Sequence, residues 1–197
     1  IPSLPIISCI EREKLLNYLY KKLVSPECRV SMLSTAPQYA VTSLKYASEP
    51  IVATHFTNET ATKMLKGRTE SLAEFIGGCG AGRLYCGMEP NGDIEPCVFL
   101  PIKLGNIREK SLTEIWRNSP ILKKIRDRDS FKECGECPYK YVCGGCRARA
   151  YAYYNDVQEP DPSCSFNQKY WKMLKESTQK HEKRLEYPPI PHETDED

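Results

Sequence analysis

Cys134-Gly-Glu-Cys137-Pro-Tyr-Lys-Tyr-Val-Cys143-Gly-Gly-Cys146 is the stretch that decides how this chain folds. Its four thiols, spaced C-x2-C-x5-C-x2-C, fall within thirteen residues, a density that core packing does not call for. A C-x2-C turn brings two sulfurs to one metal, at about 2.3 Å each for zinc, because the intervening residues loop with their amides facing the thiolates. Gly144 and Gly145 let the backbone come close to whatever the sulfurs hold. Working outward, Cys79, Cys86 and Cys97 lie on the N-terminal side and Cys164 on the other, making eight cysteines between positions 79 and 164. Four thiolates are the ligand set of one closed zinc site or one iron–sulfur cluster, so eight imply two metal centres. Cys9 and Cys28, far upstream and without a close cysteine neighbour, read as small buried hydrophobes.

The 197 residues suffice for one medium domain or two small ones, and the net charge of +2 argues for neither a nucleic-acid nor a membrane partner. No apolar run is long enough to span a bilayer, and Ile1-Pro-Ser-Leu-Pro5 has no basic signal-peptide start, so a cytoplasmic location is the expectation. Reducing conditions there favour metal ligands over disulfides. In a secreted chain five disulfides would be the rival account of the ten cysteines. Against it, cysteines on tight knuckles are poor mutual disulfide partners and good co-ligands. The sequence does not start with Met and reads as a piece of something longer.

Along the chain, Ser8 and Glu11 form a capping-box pattern, and Ile10, Leu15, Leu16, Leu19 and Leu23 follow at helical spacing, which predicts a helix over 9–24. Cys28-Arg-Val-Ser-Met-Leu-Ser34 predicts a short buried strand, and Pro37 opens a second helix that ends before Pro50. A connector with a short helix over 58–66 runs to Gly77-Gly78. Residues 83–87 and 94–99 flank Pro90-Asn-Gly-Asp93 as a hairpin, whose two strands would aim Cys86 and Cys97 at one centre. Helices follow over 112–117 and after Pro120, then over 147–154. The turn from Glu159 to Cys164 presents the last thiol, and an amphipathic helix over 167–185 precedes an acidic, Pro-containing tail.

Cysteine-only ligation leaves zinc or iron–sulfur clusters, with iron–sulfur favoured because His55, His181 and His192 all lie outside the cysteine region. Cys79, twelve residues to Gly92, four to Cys97, then Cys134, Cys137, Cys143, Cys146 and, after a gap, Cys164 resembles the SPASM domain. That domain is the C-terminal module of many radical S-adenosylmethionine (SAM) enzymes, including ones that mature sulfatases, make pyrroloquinoline quinone and mycofactocin, and complete haem by the sirohaem route. One departure is the two-residue gap between Cys143 and Cys146, where the commonest family form has one residue more. The resemblance implies that Cys79, Cys86, Cys97 and Cys146 hold a first auxiliary [4Fe–4S] cluster and that Cys134, Cys137, Cys143 and Cys164 hold a second. It implies an α/β remnant over 1–70, the end of a partial barrel, followed by a small α+β SPASM-like domain over 71–170 with a hairpin and two clusters. A helix and acidic tail over 171–197 close the chain. Thr35-Ala-Pro-Gln-Tyr39 would then stand at the end of a barrel strand, where ligands are contacted, or be only a helix-starting turn.

The family's radical-generating signature, C-x3-C-x2-C, is absent, so no catalytic residue is assigned and SAM is expected only in a complete enzyme. The chain is then the C-terminal part of a longer enzyme, whose clusters relay electrons during oxidation or modification of a peptide or tetrapyrrole-type substrate and exchange them with an electron-carrier protein. The alternative is a stand-alone structural or partner-binding module with two zinc tetrathiolate sites. Arg147 and Arg149 either offset cluster charge or pair with Asp156, Glu159 or Asp161, the second being preferred. Tyr151, Tyr153, Tyr154, Trp116 and Trp171 read as packing residues.

Overall fold

The computed structural model describes residues 7–29, 34, 36–46 and 78–167. Upstream, α1 (Cys9–Leu23) starts at a complete capping box. The Ser8 hydroxyl accepts from the Glu11 N–H at 3.2 Å, and the Glu11 carboxylate accepts from the Ser8 N–H at 2.9 Å. α2 (Gln38–Tyr46) follows Pro37 as its spacing predicts. Leu16 and Tyr20 of α1 are buried against Ala36 and Tyr39, and the Tyr20 ring stacks on Tyr46 at 5.5 Å. Glu13 and Lys45 pair across the two helices. The strand expected over 28–34 falls largely on residues 30–33, outside the described ones, as do the helix over 58–66 and all but the first residue of the helix over 167–185. Asn167 itself closes a 3-10 turn, Ser165–Asn167.

The cysteine-rich part begins with a three-stranded antiparallel sheet, β1 (Gly87–Met88), β2 (Asp93–Glu95) and β3 (Gly105–Asn106), in that order. The hairpin forms around Asn91-Gly92, with Gly87 opposite Glu95 and Met88 opposite Ile94. Its strands are shorter than the 83–87 and 94–99 expected, and Cys86 and Cys97 both fall just outside the ladder. Pro96 has no N–H to continue the pairing, and the chain turns so that the Cys97 carbonyl accepts from the Leu100 N–H at 2.8 Å. β3 was not expected, since Gly-Asn has no strand propensity; the Asn106 amide holds it by donating to the Asn91 carbonyl and to Asp93.

Four helices complete the described fold. α3 (Leu112–Asn118) is capped by Ser111, α4 (Pro120–Arg126) by Ser119 with Pro120 in its first turn, and α5 (Lys132–Gly135) and α6 (Arg147–Tyr154) flank the cysteine knuckles. Leu100, Leu122 and Ile125 form the core with Ala81, Cys97, Ala148 and Val157, and Trp116 and Tyr151 pack at its edge.

One carboxylate ties these pieces together. Asp161, with no exposed surface, accepts from Arg149 Nε and Nη2 at 3.0 and 2.7 Å, the Cys146 N–H at 2.7 Å and Gln38 Nε2 at 2.7 Å. The Ser163 N–H and hydroxyl add bonds of 3.0 and 2.8 Å. Burial alone would raise its pKa, but Arg149 and these donors outweigh it and hold the carboxyl well below the usual range. A carboxylate depressed in this way stabilises the fold above its unfolded pKa and loses that contribution as pH falls below it. Asp161→Asn strands a buried guanidinium and should cost about 3–5 kcal/mol at neutral pH. In urea unfolding the gap to wild type should persist down to about pH 5 and close only below about pH 4.

Candidate metal centres

None of the ten cysteines is disulfide-bonded. Seven of the eight in the cysteine-rich part line two cavities. One cavity, of about 350 Å³, is walled by Cys134, Cys137, Cys143 and Cys164, with Tyr139 and Phe166 beside them. Cys134 sits on α5, and successive turns wrap the chain around the void: the Cys137 N–H donates to the Cys134 carbonyl at 3.3 Å and the Cys143 N–H to the Tyr139 carbonyl at 2.8 Å. The Gly145 N–H reaches Cys143 Sγ at 3.4 Å, and Asn167 Nδ2 reaches Cys134 Sγ at 4.0 Å. Burial raises the pKa of Cys143 and pushes Cys164 up to about 12. In such surroundings a thiolate persists where a cation compensates it.

The second cavity, of about 360 Å³, is walled by Cys79, Cys97 and Cys146, with Tyr85 and Arg149. The Phe99 N–H and the Tyr85 hydroxyl approach Cys97 Sγ at 3.5 and 3.8 Å. Burial pushes Cys146 up to about 11, even with Arg149 near. Ala36 and Pro37 line this cavity too, while the Ala36 carbonyl accepts from the Tyr39 N–H at 2.9 Å, so this segment is both a cavity wall and a helix-starting turn. Cys86 lines neither cavity. It opens on a separate cleft with Leu112, Trp116 and Arg117.

The arginines divide between the two readings of them. Arg149 pairs with Asp161, whereas Arg147, 1% exposed, gives Nη1 to the carbonyls of Val157 and Glu159 at 2.7 and 2.9 Å and Nη2 to Cys134 Sγ at 3.8 Å. Its Nε is buried without a hydrogen-bond partner among the described residues, and its guanidinium lies 4.2 Å above the Phe131 ring. A buried cation served by carbonyls and one sulfur fits an anionic occupant in the adjoining cavity. Sequence reasoning missed Arg128, which is buried and donates to the carbonyls of Lys140, Tyr141 and Cys79. Burial, then neighbouring Arg83, lowers its pKa to about 10.

Among the described residues no three His, Cys, Asp or Glu side chains converge where a single metal ion could sit. The thiols ring voids.

Residues 79–138 match the model of SPASM, an iron–sulfur cluster-binding domain. The chain is 33% identical over 162 residues to the AdoMet-dependent heme synthase of Methanosarcina barkeri, covering 81% of this chain and 43% of that protein. It is 33% identical over 91 residues to the mycofactocin maturase MftC of Mycobacterium ulcerans, with 44% of this chain and 25% of the relative covered. With the PqqA peptide cyclase of a Methylobacterium species it shares 32% identity over 124 residues, 55% of this chain and 33% of the relative. It therefore spans less than half the length of the curated relatives it matches. By the domain match, residues 79–138 carry a SPASM iron–sulfur cluster-binding domain, and over most of its length the chain is similar to AdoMet-dependent heme synthases.

Proposed function

We propose that this chain holds two [4Fe–4S] clusters, one in each cavity, and that they relay electrons during oxidation or modification of a substrate by a radical SAM enzyme. The observation that carries this reading is the division of the thiols. Four ring one void, three ring the other, and Cys143-Gly-Gly-Cys146 joins the two sets. Cys134, Cys137, Cys143 and Cys164 would hold one cluster. Cys79, Cys97 and Cys146 would hold the other, with Cys86 as the fourth member that the family resemblance supplies.

A bound cluster supplies one-electron chemistry at a potential set by net charge, hydrogen bonds to sulfur and solvent exposure. The chain's own residues govern each of these: the Gly145 N–H and Arg147 bond sulfurs of the first-described cavity, and the Phe99 N–H bonds one in the other. The Cys79 N–H donates to the Cys143 carbonyl at 3.1 Å, so the two thiol sets also meet through one hydrogen bond. S-adenosylmethionine would be bound by a part of the enzyme carrying the C-x3-C-x2-C signature, which this sequence lacks. We favour a tetrapyrrole-type substrate over a peptide. The likeness to the heme synthases extends over 81–82% of this chain, against 44–55% for the maturase and the peptide cyclase. A cytoplasmic location and an electron-carrier partner complete the proposal; among the described residues no helix is long and apolar enough to cross a membrane.

Anaerobic purification followed by metal and sulfide analysis tests the reading. Brown protein with about eight iron and eight labile sulfide per chain is the expected result, whereas colourless protein with about two zinc would replace the relay with a structural zinc module. Arg147→Met should lower the midpoint potential of one cluster by on the order of tens of millivolts, because a nearby cation favours the more negative reduced state. Arg147→Lys should restore most of the shift. An EPR-monitored redox titration in which neither cluster moves would remove Arg147 from this role.

A further inference from the structure

The two cavities meet where Gly78 and Cys79, which line one, pack on Cys143 and Gly144, which line the other. The Cys79 N–H donates to the Cys143 carbonyl at 3.1 Å, and a Cβ at Gly78 would stand 2.2 Å from that same carbonyl oxygen. Behind this contact lies Arg128, 4% exposed, carried there by the 3-10 turn Arg128–Ser130.

Its guanidinium bonds both sides of the contact. Nη2 donates to the Cys79 carbonyl at 3.4 Å, while Nη1 donates to the Lys140 carbonyl at 2.8 Å and to that of Tyr141, in the loop leading to Cys143. Gly144 leaves it room: a Cβ there would stand 3.2 Å from Arg128 Cζ and Nε, so the charge lies directly against the backbone of the Cys143–Cys146 knuckle. Burial and repulsion from Arg83 work against this cation, whereas attraction to Cys79 and Cys143, one thiol from each set, favours it. Arg147, by contrast, bonds a sulfur of one set, Cys134.

Resting on the two-cluster reading, we infer that Arg128 is the cation the two clusters share, a positioning residue that holds the Cys79 segment to the knuckle and raises the reduction potential of both clusters. Reduction adds one negative charge to a cluster, and a fixed positive charge nearby, in surroundings of low dielectric, stabilises that state. Placed between the two thiol sets, the charge acts on each in the same direction. The difference between the two potentials, which drives an electron from one cluster to the other, then changes less than either potential alone.

The test uses the whole chain, purified anaerobically as wild type, Arg128→Lys, Arg128→Gln and Arg147→Met, with iron and sulfide counts and EPR-monitored redox titrations. In Arg128→Gln both midpoints should fall, each by about a tenfold change in the reduction equilibrium, or about 59 mV for one electron. Arg128→Lys keeps the charge and should restore most of both shifts, and Arg147→Met should move one midpoint. Where Arg128→Gln loads neither cluster, full loading of Arg128→Lys supports the shared charge, and failure of both variants overturns it. One moved midpoint, one lost cluster or no change in Arg128→Gln overturns it too. So does an equal fall in Arg128→Lys, since hydrogen-bond geometry and not charge would then set the potentials. A wild type holding zinc without sulfide overturns the cluster reading itself, a result visible before any variant is made.

Discussion

The Asp161 carboxylate sits where every other part of the site meets. It receives six hydrogen bonds from α2, α6, the Cys143–Cys146 knuckle and the turn that carries Cys164. Removing a charge from water costs several kcal/mol, and an apolar contact could pack the same space as stably. What an apolar contact could not supply is direction. Each donor has to stand at a fixed angle to one of two oxygens, so the carboxylate sets the orientation of Cys146 and the path of the 159–164 turn together. Gln38 bonds both members of the Arg149–Asp161 pair, at 3.1 Å to Arg149 Nη2, which brings α2 into the same arrangement.

Around that pair the positive charge is distributed with a purpose that the packing alone does not explain. Arg149 has a carboxylate; Arg147 has carbonyls, an aromatic face and a cysteine sulfur. A planar guanidinium can serve several acceptors at once and keeps its charge when buried, which an ammonium does less well. The described core is small, built on Leu100, Leu122 and Ile125. Much of the remaining cohesion comes from arginines bonded to the carbonyls of loops that carry thiols.

Much of this was legible in the sequence because local chemistry decided it. Ser8 and Glu11 cap α1, Pro120 opens α4, and eight closely spaced cysteines announce metal. Features set by distant partners were not legible. The hairpin is shorter than its alternating residues suggest because Pro96 interrupts the ladder, and β3 pairs with β2 through the Leu104 and Ile107 N–H groups while Asn106 reaches back to the hairpin turn. Arg128 lies in Arg126-Asp-Arg-Asp129, a run that reads as solvated surface, yet a 3-10 turn rotates it inward beneath the knuckle. Cys86 opens on a cleft apart from the two cavities that the other seven thiols line, and spacing does not report which cavity a side chain faces.

The same limit applies to Cys143 and Cys146, and here the backbone answers it. Two cysteines three positions apart would ordinarily bind one metal, as C-x2-C knuckles do. These two line different cavities, although the gap between them is one residue shorter than the commonest family form. Gly144 and Gly145 both stand in the left-handed region, at φ of 64° and 62°, and two such residues in succession turn the chain away from Cys143 before Cys146 is reached. A Cβ at Gly145 would lie 2.6 Å from Arg147 Nη2 and 2.9 Å from Asp161 Cβ. The space that lets the thiols part is therefore the space in which the charged pair and the sulfur-bonding arginine sit. Separation of the two thiol sets, and their closeness to each other, follow from the glycines between the cysteines rather than from the cysteine spacing itself.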